Sequence, residues 1–415
     1  MRSSRERAPL RAALLLALLL VPGAAGCGFL SAAGPVEEGV IEPASPAGAP
    51  ADLDLGPGVR PLSLGPGDKS SPRVSPSGDR VAFVLDGYVV EKPLYAQDPG
   101  VRTEEGFSAT SADWLAGENL AVLGPGSGRG SPAQDAQADS LFVVHPDETP
   151  EISEAVEGVR GTGAQPGGGS VVAVVETPGV GPEAALVRLR AGGDVARSFP
   201  ADLRGRVSGL SLSPDGREVA MAVRIQSGRD DGRVELATYR FSEGEPRRVA
   251  LLEEGLEVIG APQATSRGLY FVAGEEGDEE ADYALYRVPE GSEEYEPVRG
   301  VGEDFVPASI AVSPDGGSLA VLGRRSSRSP TDLYVLDLAS DSLDAVTANE
   351  NMEIKTKPGD LAWSPDGSLV VVVARGALPG PKVYGSPAKD LSSAFYNVYG
   401  VPVGTAIRAS GGRQR

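Results

Sequence analysis

Four-residue apolar runs punctuate this chain, and the strongest follow one polar phrase. Ser75-Pro-Ser-Gly78 precedes Val81-Ala-Phe-Val84, and Ser213-Pro-Asp-Gly216 precedes Val219-Ala-Met-Ala222. Ser313-Pro-Asp-Gly316 precedes Leu319-Ala-Val-Leu322, and Ser364-Pro-Asp-Gly367 precedes Val370-Val-Val-Val373. In all four the run starts six residues after the serine. The same offset matches Leu120-Ala-Val-Leu123 to Trp114, Val171-Val-Ala-Val174 to Gln165, and Leu269-Tyr-Phe-Val272 to Gln263. The anchors, residues 75, 114, 165, 213, 263, 313 and 364, lie 39, 51, 48, 50, 50 and 51 apart. A sustained period near 50 marks a propeller or solenoid. We number these repeats one to seven.

Each repeat reads as four strands. A short inner strand with small apolar residues, such as Gly209-Leu-Ser-Leu212 or Ser309-Ile-Ala-Val312, leads into the turn. Asp-Gly suits a tight hairpin because both residues tolerate positive φ. The apolar run is the second strand. Leu141-Phe-Val-Val144, Ala185–Leu189, Leu236–Phe241, Tyr283–Tyr286 and Leu333–Leu336 read as third strands, and Pro297-Val-Arg299 and Ala345-Val-Thr347 as fourth strands. No segment of the body carries a sustained, capped 3.6-residue stripe. The pattern predicts an all-β fold over residues 59–410, a seven-bladed β-propeller of four-stranded blades with six blades the alternative, and a disordered tail over 411–415. Val59–Leu64 reads as an outer strand that closes the ring on the last blade, with Thr405-Ala-Ile-Arg408 as competitor for that place.

The N-terminus follows a different pattern. A basic stretch precedes the apolar run Ala12–Val21, and Gly23-Ala-Ala-Gly26 then leads to Cys27. That is the layout of a signal peptide over residues 1–26, with an apolar run too short to span a bilayer. The Ala-Ala-Gly-Cys ending resembles a bacterial lipobox, with Ala24 where leucine is commonest. The resemblance implies that Cys27 is lipidated and anchors the protein to a membrane on its extracytoplasmic side; two or more acyl chains hold stably where one is marginal. The rest of segment 27–58, rich in Ala, Pro, Gly and Glu, reads as a disordered tether.

Composition narrows the chemistry. Aromatics are only 5% of residues, so Val, Leu, Ala and Ile must fill the core. A net charge of −20 repels phosphate backbones and excludes a nucleic-acid partner. One cysteine allows no internal disulfide, and one histidine, His145, leaves no material for His-based zinc sites or triads. No cofactor is expected, and the body reads as a monomer.

The repeated Ser-Pro-Asp-Gly phrase before an apolar strand resembles the WD40-like blades of TolB-type periplasmic propellers. Combined with a lipobox it also resembles the propeller part of actinobacterial LpqB lipoproteins. The resemblance covers residues 59–410 and implies a propeller in the cell envelope. The N-terminal domains of those families have no counterpart here, so their partners do not transfer.

Asp215, Asp315 and Asp366 recur at one place in the repeat and read as turn-holding carboxylates, since Ser77 stands there in the first copy. His145, just past a third strand, reads as part of a turn. Ser211 and Ser213 lack the second glycine and the helix of a nucleophile elbow. The long loops between second and third strands are charged: Glu275, Glu276, Asp278, Glu279 and Glu280 on one, Arg324, Arg325 and Arg328 on the next. They are the candidate partner-binding face. The acidic loop could hold Ca²⁺, although it lacks the alternating aspartates of a dedicated calcium loop. The leading expectation is a non-catalytic lipoprotein that binds another cell-envelope protein. The alternatives are a carboxylate- and Ca-dependent propeller hydrolase or lactonase, and an extracytoplasmic solute-binding receptor.

Overall fold

The computed structural model describes residues 55–404 except 57, 65, 95–99, 102, 104–106, 126–138, 146–151, 177–183, 191–193, 199–204, 227, 276, 278–282, 303, 327–328, 350–351 and 377–394. The expected signal peptide over 1–26, Cys27 and the expected tail over 411–415 lie outside these residues. So does Thr405–Arg408.

Strand β1 (Arg60–Ser63) opens the body. Repeat one supplies β2 (Lys69–Val74), β3 (Arg80–Leu85), β4 (Tyr88–Pro93) and β5 (Gly100–Val101). Repeat two supplies β6 (Ser111–Trp114), β7 (Leu120–Pro125) and β8 (Asp139–Val144). The long β9 (Ile152–Ala164) leads to β10 (Val171–Glu176), β11 (Ala184–Leu189) and β12 (Val195–Ser198). Repeat four is β13 (Gly205–Leu212), β14 (Glu218–Ile225), β15 (Val234–Arg240) and β16 (Pro246–Leu251). Repeat five is β17 (Leu256–Thr265), β18 (Gly268–Glu275), β19 (Ala284–Pro289) and β20 (Glu296–Pro297). Repeat six is β21 (Val306–Val312), β22 (Ser318–Arg324), β23 (Asp332–Asp337) and β24 (Ser342–Ala345). Repeat seven is β25 (Met352–Ile354), β26 (Leu361–Trp363), β27 (Leu369–Gly376) and β28 (Asn397–Pro402).

Repeats one, four, five and six each form a four-stranded antiparallel meander in chain order. Repeats two and three share a seven-stranded sheet because β9 serves both: Ile152–Val159 pairs with β8, and Val159–Ala164 pairs with β10. No α-helix occurs among the described residues; Arg299–Val301 is a single 3-10 turn. The fold is a β-propeller, as the repeat predicts.

The second strands explain why the sequence shows unbroken apolar runs rather than alternation. Both faces of each strand are covered by neighbouring sheets. Val81 and Phe83 pack against Val371 and Val398 of repeat seven, while Ala82 and Val84 face Trp114 and Val122 of repeat two. In repeat four, Val219, Met221 and Val223 face Val172 and Leu186 of repeat three, and Ala220 and Ala222 face Leu269 and Phe271 of repeat five. The core is therefore divided into layers between sheets. The remaining layers join repeats two to three, five to six, and six to seven. Leu55 is buried in the last of these, so the packed body includes residues before Val59.

The Ser-Pro-Asp-Gly turns share one bond pattern. Ser313 Oγ donates to Asp315 Oδ1 at 2.5 Å and accepts Ser318 N–H at 3.0 Å, while Gly317 N donates to Asp315 Oδ1 at 3.0 Å. Repeats four and seven reproduce it with Ser213 and Asp215, and with Ser364 and Asp366. In repeat one Asp79 takes the carboxylate's place, accepting from Ser75 and Ser77. The carboxylates therefore hold hairpins, as expected. Gly316 adopts φ 71°, a left-handed conformation that strains any side chain.

Two sequence anchors need correction. Trp114 pairs with Leu120, and Ala264 with Leu269, whereas Val74 pairs with Val81. Trp114 and Ala264 are therefore equivalent to Val74, and the turn-opening residues are Leu115 and Thr265. The turns of repeats two and five are shorter than Ser-Pro-Asp-Gly turns, so a fixed offset slips the register. Two fourth strands also differ: β20 and β24 stop earlier than expected, because Val298 N turns in to Leu285 O while Val346 and Thr347 both donate to Leu333 O.

Strand β1 closes the ring. Arg60 pairs with Gly400, Pro61 with Tyr399 and Ser63 with Val398, so the N-terminal strand completes the sheet of repeat seven. The buried ammonium of Lys92 donates to Leu62 O and ties the same strand to repeat one. We predict that deleting residues 59–64 lowers the melting temperature clearly while deleting 28–50 does not; equal shifts in a thermal scan would refute closure by β1.

The turn carboxylates generate a second expectation. The serine hydroxyl is the largest influence holding Asp215, Asp315 and Asp366 below the ordinary value of 3.8. A group depressed on folding stabilises the protein above its unfolded value, and that contribution disappears as pH falls through the folded value. The melting temperature should fall between pH 5 and pH 3, and the triple variant Asp215→Asn, Asp315→Asn, Asp366→Asn should fall less steeply over that range. Gly316→Val should cost about 1–2 kcal/mol at neutral pH through backbone strain.

Candidate functional site

The inner strands β2, β6, β9, β13, β17, β21 and β26 line a central cavity of about 370 Å³. That falls within the ordinary range for small-molecule sites. These strands belong to different ladders, so few backbone bonds join them, and side chains supply most of the ties. Arg73 Nε donates to Asp113 Oδ1 at 2.5 Å, and Trp114 Nε1 donates to Arg73 O at 3.0 Å. Gly169 N donates to Trp114 O at 3.1 Å, joining repeats two and three. Gln165 Nε2 reaches Pro214 O at 2.9 Å, and Ser211 Oγ reaches Pro262 O at 2.5 Å. Gln263 Oε1 accepts Val312 N–H at 3.4 Å, and Trp363 Nε1 donates to Ala311 O at 2.9 Å. Ser71 N donates to Asp360 Oδ1 at 2.8 Å, and Arg73 Nη1 to Gly359 O at 2.6 Å, completing the circuit from repeat seven to repeat one.

Asp360 is 3% exposed. Burial raises its carboxyl above the ordinary value, opposed by the Ser71 N–H and by Lys355, whose Nζ lies 3.4 Å from Oδ2. The two charged side chains on the cavity wall itself, Arg73 and Asp113, neutralise one another.

One end of the cavity is stopped by the turn of repeat three. Gln165-Pro-Gly-Gly168 replaces Ser-Pro-Asp-Gly, and Gly167, Gly168 and Gly169 all have positive φ, of 76°, 85° and 117°. A side chain at Gly167 would meet Pro365 and Pro314 at 3.3–3.4 Å, and one at Gly168 would meet Pro76 at 3.0 Å. The turn therefore reaches across the axis to the turns of repeats one, six and seven. Only glycine permits that approach.

The sequence-predicted face is partly described. Glu275 ends β18 and is exposed; Arg324 ends β22 and is half-buried. Arg325 is exposed, and its charge opposes the burial-driven rise of the Asp332 carboxyl. Glu276, Asp278, Glu279, Glu280 and Arg328 lie outside the described residues. His145 Nδ1 lies 3.2 Å from Asn119 Oδ1 beside a turn. No group of three metal-ligating side chains occurs among the described residues.

Sequence reasoning missed Arg73, Asp113 and the two tryptophans as cavity residues. A signal existed: Trp114 and Trp363 occupy the same place, each pairing with the first residue of its repeat's apolar run, Leu120 and Val370. Allowing turn length to vary would have aligned them.

No protein-family model matches the chain, and no curated protein matches its sequence. Solved structures are similar in fold. Oligogalacturonate lyase from Vibrio parahaemolyticus matches with a TM-score of 0.51 at 12% identity, over 85% of this chain and 95% of the lyase. TolB from Agrobacterium tumefaciens matches with a TM-score of 0.41 at 12% identity, over 74% of this chain and 93% of TolB. Acylaminoacyl peptidase from Pyrococcus horikoshii matches with a TM-score of 0.47 at 16% identity, over 77% of this chain; the chain spans about half, 51%, of that enzyme. At such identities the likeness is one of fold.

The ties predict a measurable cost. Trp363→Phe keeps an aromatic ring but leaves Ala311 O without its indole donor and gives up the pyrrole half of the buried side chain, and should lose about 1–3 kcal/mol in urea unfolding. An unchanged midpoint would show the tie to be idle.

Proposed function

We propose that this chain is a seven-bladed, monomeric propeller lipoprotein, anchored through Cys27 to the extracytoplasmic side of a membrane, that binds another cell-envelope protein and performs no catalysis. Each sequence repeat is taken as one blade, with β9 shared between two. The observation that carries the reading is how the recurrent polar groups are used. The serines and aspartates of the turns hold hairpins, and the polar groups of the inner strands hold neighbouring sheets together. Groups committed to structure are poor candidates for general acid–base or nucleophilic chemistry, which needs a base free to move a proton. No cofactor, Ca²⁺ included, enters this reading.

Specificity then belongs to the charged second-to-third-strand loops. Glu275, Glu276, Asp278, Glu279 and Glu280 belong to the loop of repeat five, and Arg324, Arg325 and Arg328 to the corresponding loop of repeat six. Adjacent acidic and basic tips steer a partner into one orientation more than they add affinity. The length of these loops is not needed to close the blades, which leaves them open to selection by a partner.

Metabolic labelling with a fatty-acid analogue should mark the wild-type chain and not Cys27→Ala, which should also leave the membrane fraction; label persisting on the variant overturns the anchor. Replacing Glu275, Glu276, Asp278, Glu279 and Glu280 by Ser should leave the melting temperature nearly unchanged, since exposed ion pairs contribute about 0–1 kcal/mol. Crosslinked partner yield in the native host should fall. Full yield at both low and high salt would place the partner surface elsewhere.

A further inference from the structure

The central cavity holds an arrangement that the ties do not exhaust. Arg73 uses Nε on Asp113 Oδ1 and Nη1 on Pro72 O and Gly359 O. Its Nη2, and the second oxygen Oδ2 of Asp113, make no hydrogen bond to another described residue, and neither is sealed from solvent. Arg73 and Asp113 both line the cavity of about 370 Å³, so one wall carries a donor group and an acceptor oxygen of the same ion pair. The pair is 2.5 Å apart at Nε and Oδ1, so the wall carries no net charge.

These facts select the chemistry of an occupant. An ion would be desolvated against a neutral wall with no counter-charge, which is costly. A body of net charge −20 disfavours anions further. A hydroxyl both donates and accepts. One hydroxyl can accept from Arg73 Nη2 while its neighbour donates to Asp113 Oδ2, which satisfies both free groups together. A neutral compound with adjacent hydroxyls on a partly apolar frame meets all of these conditions. The rest of the wall, with Ala362, Ile310 and the edges of Trp114 and Trp363, suits such a frame. The stop formed by Gln165–Gly168 makes the cavity blind at the turn end, so an occupant would enter from the face of the charged loops.

The geometry points to a binding site for a neutral sugar in the central cavity, with the Arg73–Asp113 pair reading a vicinal diol. This site is separate from the partner face proposed above and stands or falls without it.

The chain has two tryptophans, and both line the cavity, so intrinsic fluorescence reports its occupancy without a label. The full chain should be titrated with glucose, galactose, mannose, N-acetylglucosamine and the disaccharides cellobiose and maltose, with glucuronate as the charged comparator, by fluorescence and calorimetry. At least one neutral sugar should bind saturably and more tightly than glucuronate. Asp113→Asn should weaken it about tenfold or more, the scale of a lost hydrogen bond to a charged group. Asp113 also ties two repeats, so Ala261→Leu provides a second test: Ala261 lines the cavity from repeat five, belongs to none of the apolar layers and is remote in sequence from the pair, so the variant should weaken binding while the melting temperature is retained. Absence of saturable binding by every neutral sugar up to about 10 mM overturns the proposal. So does binding that is unchanged in both variants, or tighter binding of glucuronate than of every neutral sugar.

Discussion

Everything in this propeller depends on closing a ring of sheets that are not, for the most part, joined to one another by backbone ladders. A blade has a covered face on each side, an inner edge on the axis and an outer edge in solvent. Apolar layers between blades supply attraction but little direction, since the hydrophobic effect is proportional to area and indifferent to orientation. Direction comes from the hydrogen bonds that cross between inner strands. Arg73 to Asp113, Gln165 to Pro214 O, Ser211 to Pro262 O and Trp363 to Ala311 O each fix one blade relative to the next. Their burial makes them consequential. A buried carbonyl left without its donor costs more than the net worth of the bond it loses.

Closure also accounts for the arrangement of the termini. A linear chain of blades exposes two unpaired edges, the inner strand's neighbour at one end and the outer strand at the other. Strand β1, paired to β28, covers that strand's free edge and completes the sheet of repeat seven with a strand from before repeat one, so that peeling either strand away must break a sheet. Tyr396 reinforces the same seam. Its hydroxyl donates to Glu353 and its ring lies under the Arg375 guanidinium at 4.6 Å, while its backbone N–H reaches Asp68 Oδ1 at 3.1 Å. Burial, followed by the bond to Glu353, pushes its phenol up to about 12.

Much of this fold was legible in the sequence. The period near 50, the hairpin phrase and the unbroken second strands each report a local requirement that every blade must meet, so they recur and can be counted. The closing role of Val59–Leu64 was legible because an unpaired apolar–polar strand before the first repeat has only one sheet to complete. The ties and the cavity were not. The ties are made by several residue types, arginine, glutamine, serine, tryptophan and aspartate among them, because the requirement is a polar group that reaches the neighbouring repeat and not a particular side chain. The cavity wall gathers one short stretch from each repeat, and no window of sequence contains it. The register slip in repeats two and five has the same origin: their turns differ in length, and a fixed offset cannot absorb that.

The repeats that depart from the Ser-Pro-Asp-Gly phrase help to shape the axis, alongside Arg73 of repeat one and Trp363 of repeat seven, which keep it. Repeat two gives up the phrase and contributes Asp113 and Trp114. Repeat three replaces it with Gln165-Pro-Gly-Gly168, whose run of left-handed glycines crosses to the opposite turns and stops the cavity. Repeat five shortens it and carries a bulged inner strand, in which Gly260 has φ 73° and sits against Pro358 of repeat seven. Repeats four and six keep the phrase, and of the cavity's polar groups they supply mainly serines. A regular turn is the least strained way to join two strands, so departures from it in a repeat protein call for a compensating role. Here the departures converge on one place, the axis, from three blades that are not all neighbours.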